Sequence, residues 1–247
     1  MPKLDSSVPH RLGRRTNFIP PLDGRPAKWA DVIDSVADSD QLASLAATTT
    51  ATILTTGSDG HAVIATADVD AMKSLVPDQL VGVRRPASHK GMTNYISRVT
   101  VPTEQHDARA VWCESFNELS HLRDLLLTNR PAQVATQPLR LEWVLPSGVR
   151  SHIPDFLTRL ADGQMTLVDV TTNSKVEDPR VRAILKLTKA TAEAVGWAYQ
   201  VRTELPPQRV RNLNFSPRRP PRHPTGSCFR GQMPAASDGP NRRPARE

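Results

Sequence analysis

The sequence predicts an α/β fold whose core runs helix, three-stranded meander, helix, strand. Three observations carry that expectation. Residues 114–127 set Phe116, Leu119, Leu122 and Leu126 at helical spacing on one face. Residues 139–172 hold three strand-like stretches parted by Pro146-Ser147-Gly148 and Ala161-Asp162-Gly163, short glycine-containing turns that join antiparallel neighbours. Asp178-Pro179 then supplies a cap followed by proline at the first helical position, and Gly196 ends that helix before a last strand at Trp197 to Arg202.

In chain order, residues 1–40 carry Arg11, Arg14, Arg15 and Pro20-Pro21 with little periodicity, and are expected to be mostly disordered. Residues 41–83 predict a small β-rich module. Thr49 to Thr56 is β-branched, Gly57-Ser58-Asp59-Gly60 is a turn cluster, and His61 to Thr66 reads as the second strand of a hairpin. Residues 84–98 form a connector with Arg84, Arg85, Lys90 and Arg98, either a solvated linker or an arm that contacts DNA. The core follows the helix at 114–127 with strands Leu139–Leu145, Val149–Arg159 and Met165–Thr172. The second helix, from Asp178, turns Val181, Ile184, Leu185, Ala192 and Val195 inward. Residues 206–247 are a Pro/Arg-rich tail without periodicity, read as disordered.

Charge follows this division. The chain of 247 residues has a net charge of +7. Arg209, Arg211, Arg218, Arg219, Arg222, Arg230, Arg242, Arg243 and Arg246 face only Asp238 and Glu247 in the tail, so residues 1–205 are formally neutral. A basic tail binds polyanions by counterion release whatever the folded part does. Cys113 and Cys228 are too few for a disulfide framework, which predicts a reducing, cytoplasmic setting. No apolar run approaches the roughly 20 residues of a membrane span, and no signal peptide is read at the N-terminus.

The chemistry sits in Pro154-Asp155-Phe156 and Val168-Asp169-Val170-Thr171. Two carboxylates on neighbouring strands suit a hard cation such as Mg²⁺, which takes oxygen ligands. An ion held so activates water and stabilises the leaving oxygen of a phosphodiester. Asp169 and Thr171 share a strand face. Glu118 lies beside the apolar stripe of the first helix, within reach of the same patch. The bland reading of each acid is a turn or surface residue. Strict alternation sets His152, three residues before Asp155, on the opposite face, in a structural or DNA-contacting role. Arg182, Lys186 and Lys189 share one side of the second helix, either a solvated face or a phosphate contact.

Residues 84–205 resemble the TnsA-type endonuclease subunit of heteromeric transposases, within the PD-(D/E)XK, restriction-endonuclease-like superfamily. The likeness lies in Arg85-Pro86 with Ser88 and Gly91, Glu114-Ser115-Phe116-Asn117-Glu118-Leu119, Ala135-Thr136-Gln137-Pro138, His152-Ile153-Pro154-Asp155-Phe156, Val168-Asp169-Val170 and Gly196-Trp197. It implies a restriction-endonuclease-like core and Mg²⁺-dependent (or Mn²⁺-dependent) hydrolysis of one strand at transposon ends. The implied partners are transposon-end DNA, a DDE transposase of the retroviral-integrase type and an ATPase regulator of the AAA+ class. By that resemblance Asp155 and Asp169 hold the ion, with Glu118 completing the shell or orienting water, and DNA contacts fall to Arg84, Arg85, Lys90, His152, Arg182 and Lys186.

One departure stands out. Many relatives carry lysine where this chain has Thr171. A lysine ammonium there stabilises developing negative charge, and preorganised groups of that kind are typically worth about 3 kcal/mol. Lys175, four residues on, is the candidate replacement; its alternative is a surface charge. Two competing readings follow: a scaffold that keeps the fold without cleavage, and a restriction or repair nuclease of the same fold that acts without a transposase.

Overall fold

The computed structural model describes residues 19, 22, 24–57, 59–84, 95–104 and 108–215. Helices α1 (Trp29–Ala37) and α2 (Ser39–Ala47) come first, then strands β1 (Thr50–Thr56) and β2 (Ala62–Ala67), the short α3 (Val69–Met72) and a 3-10 turn at Pro77–Gln79. Strands β3 (Ser97–Pro102) and β4 (Ala108–Cys113) precede α4 (Phe116–Thr128). Then follow β5 (Gln133–Thr136), β6 (Leu139–Leu145), β7 (Gly148–His152), β8 (Phe156–Arg159), β9 (Met165–Val170), α5 (Asn173–Val176), α6 (Pro179–Val195), β10 (Ala198–Arg202) and α7 (Pro207–Phe215). None of the described helices is long and apolar enough to cross a membrane.

The strands form two four-stranded sheets, ordered β2-β1-β6-β7 and β10-β9-β8-β5, and the separate hairpin β3-β4. In the second sheet β5/β8 and β8/β9 are antiparallel, whereas β9/β10 is parallel. A parallel pair needs a crossover, and α6 supplies it. Leu157 and Leu167 pair across one face of this sheet and belong to a core shared with the first sheet and with Val32 and Val36 of α1 and Ile184 and Leu187 of α6. Phe156 and Val168 pair on the other face and join Leu119, Leu122 and Leu125 of α4 and Val101 and Val111 of the β3-β4 hairpin. Alternation along β8 and β9 thus serves two cores at once.

The helices of the core follow local chemistry. At α4 the Ser115 Oγ accepts from the Glu118 N–H, while Glu118 reaches back to the Glu114 N–H and the Ser115 hydroxyl (2.8 Å each), a reciprocal cap. The helix therefore starts at Phe116, and Phe116 is 45% exposed rather than part of the buried stripe. At α6 Asp178 caps the Arg180 N–H, Pro179 takes the first position and Gly196 closes with φ 87°.

Four expectations change. Residues 29–37 are helical, not disordered: Trp29, Val32, Ile33 and Val36 have helical spacing, and Asp38 caps α2 through the Asp40 and Gln41 N–H groups. Residues 1–18, 20, 21 and 23 lie outside the described residues. The hairpin β1-β2 is no separate module, because β1 pairs with β6 from Thr50↔Glu142 to Ile53↔Leu139. A lone hairpin is marginal in water, and the second sheet edge stabilises it. The expected strand 149–159 is two strands in two sheets. Pro154 has no N–H for a ladder and restricts Ile153, so the chain leaves the β6 partner at His152 and joins β9 at Phe156. The meander is accordingly β5-β8-β9, with β6-β7 inserted between its first two strands. The tail, finally, begins with a helix at Pro207–Phe215; residues 216–247 lie outside the described residues.

Candidate active site

The break at Pro154 builds the site. Asp155, the residue before β8, donates its N–H to the Val168 carbonyl (3.1 Å) and accepts the Val170 N–H on Oδ2 (2.6 Å). Its backbone and side chain thereby bracket Asp169 on β9. Asp169 is 3% exposed. Its Oδ1 lies 2.7 Å from His152 Nε2, and its Oδ2 accepts the Tyr199 hydroxyl at 2.5 Å. Tyr199 reaches it from β10, where Val201 pairs with Asp169 and Tyr199, two residues earlier, shares that face. Asn117 of α4 donates to the Thr171 carbonyl (3.0 Å), tying the start of α4 to the end of β9.

The electrostatics are those of crowded like charge. Burial, then Glu118, then Asp169 push the Asp155 carboxyl up to about 7, against the opposing pull of the Val170 N–H and His152. Burial also raises Glu118, with its Ser115 bond and Arg84 acting the other way. Burial alone lowers the His152 imidazole, but Asp169 and Asp155 outweigh it and hold the ring above its ordinary value. Burial and the same carboxylates raise the Tyr199 phenol, which stays a donor. Cys113, buried beneath Glu118 and Asp155, is pushed up to about 12 and stays a thiol.

Glu118, Asp155, Asp169 and His152 thus converge. His152 corrects its expected placement: it meets Asp169 instead of the opposite face, because β7 belongs to a different sheet from β8. Lys175 does not converge. It is exposed in α5, and among the described residues it has no side-chain bond to either aspartate. Arg84 pairs with Glu114 beside the α4 cap. Arg182 pairs with Glu177 (3.0 Å), and Lys186 is exposed on α6. Arg85 and Lys90 lie outside the described residues. Tyr199 had no signal in the sequence, since only the parallel register of β9 and β10 brings it to Asp169.

The donor set fits a cation in part. Both oxygens of Glu118 serve the helix cap, so Glu118 is committed to holding α4. Asp155 Oδ1 takes no hydrogen bond among the described residues; burial first, then the charges of Glu118 and Asp169, raise Asp155, and a cation relieves the crowding. Among the described residues, no three or more His, Cys, Asp or Glu side chains are grouped as ligands of one metal ion. The two aspartates alone suit Mg²⁺, which keeps several waters and is often held by one or two carboxylates plus substrate phosphates. No protein-family model matches the chain, and no curated protein sequence matches it.

Proposed function

We propose that the chain is a Mg²⁺-dependent DNA endonuclease subunit of a heteromeric transposase of the TnsA type, hydrolysing one strand at transposon ends. The observation that carries this reading is the apposition of Asp155 and Asp169 at adjacent strand ends, with Asp155 raised to about 7 by burial and by its neighbouring carboxylates. The order α4, β5, β8, β9, α6, β10, with two antiparallel pairs and one parallel crossover, supports a restriction-endonuclease-like core around that pair.

Asp155 and Asp169 would hold the ion, which supplies a polarised water and a counter-charge for the leaving oxygen. The chain's own residues do the rest. His152 and Tyr199 fix both oxygens of Asp169, and the Val170 N–H fixes Oδ2 of Asp155. Glu118 holds α4 against the site and adds negative charge that strengthens cation binding. His152, kept protonated over a wider pH range by Asp169, sets a positive charge beside the carboxylates. The partners that go with this reading are transposon-end DNA, a DDE transposase and an AAA+ regulator.

A second reading is a scaffold that docks the transposase without cutting. Thr171 in place of lysine and the exposed position of Lys175 favour it. Nicking of end-containing duplex with Mg²⁺ and the partner transposase separates the two. Strand-specific nicking lost in Asp155→Asn supports the endonuclease; assembly with the transposase but no nicking by the wild type leaves the scaffold.

A further inference from the structure

The start of α1, the start of α6 and β7, the end strand of its sheet, meet around Trp29. The segment before α1 lies along β7: the Ala27 N–H donates to the Val149 carbonyl (3.0 Å) and the Val149 N–H to the Arg25 carbonyl (2.8 Å). From β7 the Arg150 guanidinium lies 4.0 Å from the Trp29 ring centroid and donates to the Ala27 carbonyl. From α6 the Arg180 guanidinium comes within 5.7 Å of the same ring. An indole attracts a cation without neutralising it. Neither guanidinium has a carboxylate partner among the described residues. Asp178, the acid nearest Arg180 in sequence, is spent on capping α6 through the Arg180 N–H, and Glu177 pairs with Arg182. Arg25 and Lys28, on the segment beside β7, are exposed, as is Arg180.

This cationic patch adjoins the carboxylates. Arg150 and His152 are two apart on β7 and share one strand face, that of their partners Trp143 and Leu141. Two residues of a strand advance about 7 Å. His152 meets Asp169 at 2.7 Å, so the patch begins one step along β7 from the acid pair. Burial and then the charge of Arg180 lower the Arg150 guanidinium. Like charges brought together without an acid between them are relieved by an anion from outside. The planar fork of arginine suits phosphate oxygens. Duplex DNA carries one negative charge per about 1.7 Å of its axis. A duplex whose scissile phosphate sits at Asp155 and Asp169 therefore has further phosphates within reach of Arg150 and Arg180.

We infer that the patch of Trp29, Arg150 and Arg180 holds the DNA backbone beside the cut, with the two guanidinium groups on phosphates that flank the scissile one. This rests on the endonuclease reading and adds to it where the substrate lies: along the β7 edge toward the starts of α1 and α6. Trp29 keeps the Arg150 guanidinium in place. The contacts go to phosphate, so they position the duplex and carry no sequence preference.

The test is an NMR titration of the full chain with a short duplex in EDTA, which prevents cleavage. It reads the indole N–H resonance of Trp29, identified by its loss in Trp29→Phe, because DNA held by the basic tail alone leaves that resonance in place. The duplex is expected to shift it while the resonance of the buried Trp143 stays. Arg180→Gln, a change at an exposed side chain, is expected to raise the DNA concentration at half-shift about threefold at ~0.1 M salt. Arg150→Gln combined with it should raise that concentration about tenfold. The dependence of binding on the logarithm of salt should fall by about one for each guanidinium removed. A Trp29 resonance that stays fixed when anisotropy shows the chain saturated with duplex overturns the patch, and so does a half-shift that ignores both variants. A shift produced by poly-glutamate and not by the duplex also overturns it and makes the patch a face for an acidic protein. Nicking is read separately: Asp155-dependent nicking by a chain whose Trp29 resonance ignores DNA defeats the patch alone, whereas a DNA-shifted Trp29 without nicking defeats the endonuclease reading alone.

Discussion

Two buried acids near α4 have opposite surroundings. Asp124, on α4 itself, is 8% exposed and bonds Arg202 (3.0 Å) through one oxygen and Arg209 (2.7 Å) through the other. Asp155, at the start of β8, faces Glu118 and Asp169 and has His152 as its nearest balancing charge. The chain supplies Asp124 with counter-charge from β10 and α7, so that carboxylate clamps those two elements onto α4. It leaves Asp155 short of counter-charge. A buried carboxylate without a full partner costs stability, and such costs concentrate where function needs them. The difference marks Asp124 as structural and Asp155 as the carboxylate that the proposed cation would balance.

The comparison breaks most visibly in cleavage. Asp155→Asn keeps an acceptor for the Val170 N–H but removes the charge, and should lower nicking about a hundredfold or more. Asp124→Ala should leave divalent-ion dependence unchanged while costing about 3 kcal/mol in urea unfolding, because two guanidinium groups lose their shared partner. If Asp124→Ala changed the ion dependence and Asp155→Asn did not, the assignment of roles would be reversed.

The pH dependence sharpens the contrast. The Asp155 carboxyl sits at about 7 in the folded chain against an ordinary 3.8. A raised carboxyl contributes stability that is full below its unfolded value and is lost as pH rises through the folded one. His152, also raised, acts in the same direction: its contribution is full below its ordinary value and is lost as pH rises through the folded one. Relative to wild type, Asp155→Asn should therefore gain melting temperature between about pH 5 and pH 8. Mg²⁺ or Mn²⁺ should raise the wild-type melting temperature at about pH 8 and have little effect at about pH 5, where protons already occupy Asp155. A wild type whose melting temperature ignores both ions at pH 8 would argue against the carboxylate pair as a cation site in the free protein.

The smallest expected effect is at Lys175. Exposed in α5 and without a side-chain bond to the aspartates among the described residues, it should tolerate Lys175→Ala with nicking changed by no more than roughly twofold. A loss comparable to that of Asp155→Asn would mean that the α5 turn rearranges on DNA and brings Lys175 to the carboxylates.

Much of this was readable locally. The caps of α4 and α6 are written in Ser115–Glu118, Asp178-Pro179 and Gly196, because capping is settled within four or five residues. The hairpin at Gly57–Gly60 is equally local. The acid pair was readable from Asp155 and Asp169 because both sit at strand ends beside turn chemistry. Other features were not readable, each for a definite cause. The helix at Trp29–Ala37 was hidden by its polar, proline-bearing surroundings, although its apolar spacing was present. The pairing of β1 with β6 spans some 90 residues, and nothing in either strand names the other.

The sequence by itself determined the local pieces: two capped helices, the turns, the acids at strand ends and the neutral charge of residues 1–205 ahead of a basic tail. Tertiary structure alone decided what those pieces meet. Pro154 is visible in the sequence, but that it sends β7 and β8 into different sheets, turning His152 toward Asp169, depends on which edges are free to pair. Tyr199 bonds Asp169 only through a parallel register. Capping and turn energies are set by neighbours along the chain, whereas pairing, burial and the raised Asp155 carboxyl are set by neighbours in space.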